Sequence, residues 1–110
     1  MGFKKVWAIF QPHTYSRTSM FLNDFAKALS IADTVIVSEI LPVRETNTYG
    51  IHSKDLVSKT SGAVYIPDFD GICKFVLQNA QEGDLILTLG GGNIYKCANQ
   101  IADALKNQID

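Results

Sequence analysis

The stretch Phe10-Gln11-Pro12-His13-Thr14-Tyr15-Ser16-Arg17-Thr18 holds the side chains of this sequence best suited to chemistry. It follows directly on an apolar run, Val6 to Phe10. Pro12 stops a strand because it has no N–H for the ladder, and it biases Gln11 towards an extended backbone. Arg17 carries a planar fork of donors matched to carboxylate or phosphate; pairing with Asp24 is the plainer alternative. His13 either hydrogen-bonds a ligand or fastens the loop. As a general base it would want a carboxylate at a telling spacing, and none stands out. Tyr15 reads as packing, and Ser16, Thr18 and Ser19 compete as the N-cap of a following helix.

A second group is Gly90-Gly91-Gly92-Asn93. Glycines at a strand-to-helix turn allow a backbone to approach a ligand closely, and Asn93 suits a helix cap. The turn departs from the dinucleotide fingerprint, because position 95 is Tyr, and no GxxxxGK[ST] phosphate loop occurs anywhere. A third group, Arg44, Glu45, Asn47, Tyr49 and His52, lies in a polar segment with Pro42 and Gly50. Arg44 and Glu45 pair with each other there or orient Arg17. No Ser/His/Asp order, carboxylate pair or metal-ligand spacing appears.

The elements that must position these groups alternate. Val6–Phe10, Thr34–Ile40, Ala63–Pro67 and Asp84–Gly90 read as strands, the last being the most continuously apolar. Helical periods are expected over about Ser19–Ile31, from a Ser53 cap to Lys59, after an Asp68 cap, and from about Ile94 to Leu105. Leu41–His52 reads as a loop far longer than the ordinary connection of about 4–6 residues. Such alternation predicts an α/β fold, a three-layer doubly wound Rossmann-like domain. Its four-stranded, mainly parallel sheet takes the order 3-2-1-4, with a switch point between strands 1 and 4, where ligands of such sheets bind. "QPHTYSRT" and "GGGN" then share one rim and lead into helix N-termini that favour anions, so His13, Arg17 and the Gly90-Gly91-Gly92-Asn93 turn are expected to surround one anionic ligand.

Composition bounds the partners. With 110 residues and 46% apolar side chains, the chain is read as one domain, residues 1–110, with a core of its own. Ten basic against eleven acidic residues leave a net charge of −1, which argues against nucleic acid or an anionic membrane as partner. Cys73 and Cys97 fall on expected helices in apolar surroundings and read as reduced core thiols of a cytoplasmic protein. On residues alone the chain is an anion-binding α/β domain with no evident catalytic group.

The motifs "FQPHTYSRT", "DTVIVSEILPVRE…GIHS" and "GDLILTLGGGNIYK" together resemble the C-terminal domain of the ATP-dependent Mur ligases of peptidoglycan synthesis. The branch in question joins L-alanine to UDP-N-acetylmuramic acid. The resemblance runs from about Val6 to Leu105. It implies a substrate-binding and closing domain that is inactive alone. ATP and Mg2+ would be held mainly by a central domain not present here, and the carboxylate would be activated as an acyl phosphate. L-alanine, UDP-N-acetylmuramic acid and ATP are the implied partners of the full enzyme. By position, His13, Thr14, Arg17, Arg44 and Glu45 become candidates for substrate binding, and Gly90, Gly91, Gly92 and Asn93 the turn next to the anion or nucleotide. Arg17 matches a family arginine suited to an α-carboxylate, and His13 the histidine beside it. Thr14 stands where many members have a second arginine; either Arg44 offsets that loss or Thr14 is a subgroup variant. The family domain also begins with an Asp-x-x-x-His-His-Pro segment not found here, so "MGFKK" reads as an artificial start of a fragment. A free-standing anion- or nucleotide-binding regulatory module remains the alternative.

Overall fold

Side chains on successive strand residues point to opposite faces, and a sheet covered on both faces divides its core accordingly. Here Trp7, Ile9 and Ile36 enter one apolar cluster, while Ala8, Val35 and Val37 enter another. The computed structural model describes residues 3–109; the start at Met1-Gly2 lies outside them. The chain runs β1 (Val6–Phe10), α1 (Tyr15–Met20), α2 (Leu22–Leu29), β2 (Thr34–Val37), α3 (Ser53–Lys59), β3 (Ala63–Tyr65), α4 (Phe69–Asn79), β4 (Leu85–Leu89) and α5 (Ile94–Ile109). The sheet is parallel throughout, in the order β3-β2-β1-β4. The first cluster is closed by Ile72 and Val76 of α4 and Ile94, Cys97 and Ile101 of α5. The second is closed by Ala26 and Leu29 of α2 and Leu56 of α3. Three layers result, as the alternation predicts.

Two local expectations change. The first helix is two: α1 begins at Tyr15 with Thr14 as its N-cap, and the chain breaks at Phe21 before α2. Ser16, Thr18 and Ser19 lose the cap because Thr14 Oγ1 takes the Arg17 N–H at 3.3 Å. Thr18 instead buries its hydroxyl against the Thr14 carbonyl at 2.7 Å. In α3 the cap is His52, not Ser53: His52 Nδ1 accepts from Lys54 N, and the Asp55 carboxylate accepts from His52 N. Ser53 is fully buried and donates to the Ser38 carbonyl, which ties α3 to the end of β2.

β4 is the most continuously apolar strand, as its sequence reads, yet Leu87 is 42% and Leu89 41% exposed. Among the described residues β4 pairs only with β1, so its other edge is open. The sheet's far edge, β3, is short and followed by Pro67, an ordinary way of blunting an edge.

Cys73 and Cys97 are free and buried, as their surroundings predict. Burial, with Cys73 adding, pushes the Cys97 thiol up to about 11, which removes its nucleophilic form near neutrality. No described helix is long and apolar enough to cross a membrane.

Ile36 is fully buried, whereas Ile31 is 88% exposed. Ile36→Ala is expected to lose about 2–5 kcal/mol in urea unfolding through transfer and cavity terms. Ile31→Ala should stay within about 0.5 kcal/mol.

Candidate anion-binding site

β1 and β4 are in register from Val6↔Leu85 to Phe10↔Leu89, so both end at one level. The next residue continues the ladder, with Gln11 N donating to the Leu89 carbonyl at 3.0 Å. Gly90 is thereby laid against Gln11. A Cβ on Gly90 would sit 2.9 Å from the Gln11 carbonyl oxygen, at φ +150°, so this corner takes glycine. At Gly92 a Cβ would run into Leu41 Cδ2.

A cavity of about 270 Å3 opens at this rim, lined by Phe10, Gln11, His13, Arg17, Phe25, Gly90 and Gly91. Of the candidates from the sequence, it brings together His13, Arg17, Gly90 and Gly91. Arg17 is exposed, and the cation–carboxylate pair found within 4 Å among the described residues is His52 with Glu39 at 3.8 Å. Arg17 is therefore not tied to Asp24. His13 is half-buried, and its Nδ1 is enclosed without a hydrogen-bond partner.

The other candidates sit elsewhere. Thr14 is the α1 cap, at φ 61° and ψ 148°, a conformation threonine adopts only under strain. Arg44 is exposed on the loop and does not line the cavity. Glu45 does not line it either. Its Oε1 accepts from Ser16 N at 3.0 Å and its Oε2 from Ser16 Oγ at 2.5 Å. These bonds, the hydroxyl first, hold the Glu45 carboxyl below the usual glutamate range, and the charge of His13 adds in the same direction. Asn93 does not use its side chain as a free cap; its Oδ1 accepts from Gln11 Nε2 at 2.9 Å. With Gln11 it lines a second cavity of about 290 Å3, towards Glu39 and Asp68.

Gln11 is the residue that sequence reasoning passed over. It is 6% exposed, borders both cavities, and leaves its Oε1 buried without a partner. The signal was available: a long polar side chain at the carboxyl end of the strand next to the switch point. Leu41 was missed too; its carbonyl accepts from Thr14 N at 2.8 Å and its N–H donates to the Pro12 carbonyl at 2.9 Å. The long loop thus straps the corner from outside.

Chemically the cavity offers a guanidinium, an imidazole and a glycine turn around an anion-sized space. It contains no nucleophile–base pair. Among the described residues no cluster of His, Cys, Asp and Glu could hold a metal ion.

Comparisons with known proteins place this geometry. The chain is 48% identical over 101 residues, 88% of its length, to a UDP-N-acetylmuramate–L-alanine ligase of Lachnospira eligens. It is 50% identical over 96 residues, 84% of its length, to the ligase of that name from Agathobacter rectalis. The chain belongs to the Mur ligase family. It spans about a fifth of the length of these relatives, 22% and 21% respectively. A Mur ligase domain also has this fold: a domain from Haemophilus ducreyi, described as a UDP-N-acetylmuramate:L-alanyl-gamma-D-glutamyl-diaminopimelate ligase, superposes with a TM-score of 0.65. That likeness is at 20% identity and covers 92% of this chain and 68% of the other. No family model matches the chain.

A carboxyl depressed in the folded state contributes stability above its unfolded pKa and loses it as pH falls through the folded value. The Glu45 side-chain carboxyl should therefore titrate below the ordinary glutamate range in a 13C-detected pH series. Ser16→Ala should bring the midpoint back up; an ordinary midpoint in the parent chain would contradict the Ser16 bonds.

Proposed function

We propose that residues 1–110 form the C-terminal substrate-binding and closing domain, without its first segment, of a UDP-N-acetylmuramate–L-alanine ligase. The observation that carries this reading is the single cavity shared by His13, Arg17 and the Gly90-Gly91 turn, in a chain about half identical to such ligases. The open β4 edge, with Leu87 and Leu89 exposed, supports a domain that continues beyond this chain. ATP and a UDP-sugar are cytoplasmic compounds, so the ligase is placed in the cytoplasm.

In the full enzyme the substrates are UDP-N-acetylmuramic acid, L-alanine and ATP with Mg2+. The residues here do not fit the last pair: no phosphate loop occurs in the sequence, and no metal-ligating cluster among the described residues. ATP and Mg2+ are held mainly by the rest of the ligase, which activates the carboxylate of the UDP-sugar. This chain has the other task. Arg17 binds the α-carboxylate of the incoming amino acid through its fork, a charge-assisted contact that contributes about 1.5–3 kcal/mol. His13, beside it, lines the same cavity and supplies a further polar contact. The amine stays free to attack, and closure of the domain keeps water from a hydrolysable acyl phosphate. A half-site of this kind forfeits the contacts of its opposite wall, and each ~1.4 kcal/mol lost weakens binding tenfold.

Two measurements test the reading. The purified chain, given ATP, Mg2+, UDP-N-acetylmuramic acid and L-alanine, should form no amide product; turnover by this chain alone would overturn the division of labour. L-alanine should shift the amide signals of His13, Arg17 and Gly91 only at millimolar concentration or above, and Arg17→Ala should abolish those shifts. Tight saturable binding would show a site complete without its neighbours.

A further inference from the structure

The corner from His13 to Arg17 is not held by its own short helix. α1 has six residues, and its cap, Thr14, sits at φ 61°. A second non-glycine residue with positive φ, Val43 at 61°, lies in the facing loop, within a turn closed by Glu45 N donating to the Pro42 carbonyl at 3.1 Å. Unfavourable backbones in the two facing segments persist only when the surroundings over-determine them. The surroundings here are the Leu41 backbone, which brackets Pro12 and Thr14, and the Glu45 carboxylate, which closes on Ser16 with both oxygens. Glu45 is 29 residues from Ser16 in sequence, so nothing local enforces the contact.

Glu45 has three possible employments, and the geometry selects one. It does not line the cavity, so it does not touch a ligand there. It forms no ion pair with Arg44 or Arg17 among the described residues. Its bonds go to Ser16, between the two groups that face the cavity. We propose that Glu45 is a positioning residue. By clamping Ser16 it fixes the backbone between His13 and Arg17 so that imidazole and guanidinium address one ligand together. The proposal rests on the reading of that corner as the amino-acid carboxylate site, and it names a residue outside the site on which the site's shape depends. The clamp works by hydrogen-bond geometry. A glutamine can accept from Ser16 N and donate to Ser16 Oγ, so the charge itself is not required.

The test is a double-mutant cycle between Glu45→Ala and Ser16→Ala in this chain, with Glu45→Gln as the conservative variant. Three readouts are taken: amide exchange at Ser16 and Arg17, the thermal midpoint, and L-alanine titration followed at His13 and Arg17. Glu45→Ala should speed exchange at Ser16, lower the thermal midpoint slightly and weaken L-alanine binding by about tenfold, because the Arg17 fork is no longer held towards the ligand. Glu45→Gln should keep most of the affinity. In the Ser16→Ala background, Glu45→Ala should cost little more. Additive losses, or weakened binding with Ser16 exchange untouched, would overturn the clamp and make Glu45 a direct contact. If L-alanine fails to bind even the parent chain, the functional reading falls. The clamp is then decided by exchange and by the His13 and Arg17 signals without ligand: a response to Glu45→Ala sustains it, and silence ends it.

Discussion

The parallel pairing of β1 with β4 is the constraint on which the rest of this molecule depends. Both strands stop at the same level, Phe10 opposite Leu89, and the ladder runs one bond further at Gln11. Two segments about eighty residues apart in sequence therefore leave the sheet side by side. Slipping the register by one residue would turn each side chain of β4 to the other face and carry the Gly90 turn away from Gln11. The cavity between His13, Arg17 and the glycines exists because that register holds.

Around this junction the protein breaks rules that it keeps elsewhere among the described residues. Thr14 and Val43 adopt positive φ, and Gln11 Oε1 and His13 Nδ1 are enclosed without partners. Strain of this kind costs about 1–3 kcal/mol per residue, and an unpaired buried polar atom costs about as much. The two apolar clusters that flank the sheet show no comparable concession; their members are close-packed aliphatic and aromatic side chains, with the thiols of Cys73 and Cys97 among them. A corner that departs from local preference while its scaffold does not is where a ligand's interactions would repay the difference. The long loop after β2 belongs to this corner as much as to its own strand, since Leu41 and Glu45 spend their backbone and side-chain bonds on it.

The two sheet edges carry a different message. β3 is short and Pro67 follows it two residues on, whereas β4 carries no charge or proline to discourage pairing. An edge left in that state is a liability in water. It fits a domain whose relatives are several times longer than this chain.

Much of this was legible without coordinates. The alternation of apolar runs and helical periods is short-range information, and it sufficed for the element order and, through the rules for parallel sheets, for the order 3-2-1-4. Placing "QPHTYSRT" beside "GGGN" followed from that order alone. The α1 start was not legible, because no propensity places a threonine at φ 61°. Nor was the exposure of Leu87 and Leu89, because a strand of that composition reads alike at the centre of a sheet and at its edge. The employment of Glu45 and of Gln11 was hidden for one reason: their partners, Ser16 and Asn93, are 29 and 82 residues away. Residue order by itself determined which elements form and which rim they share. Only the tertiary structure decided which polar groups at that rim are spent on each other and which remain for a ligand. Hydrogen bonds reach about 3 Å, and contacts over that distance are settled by register and packing rather than by neighbours along the chain.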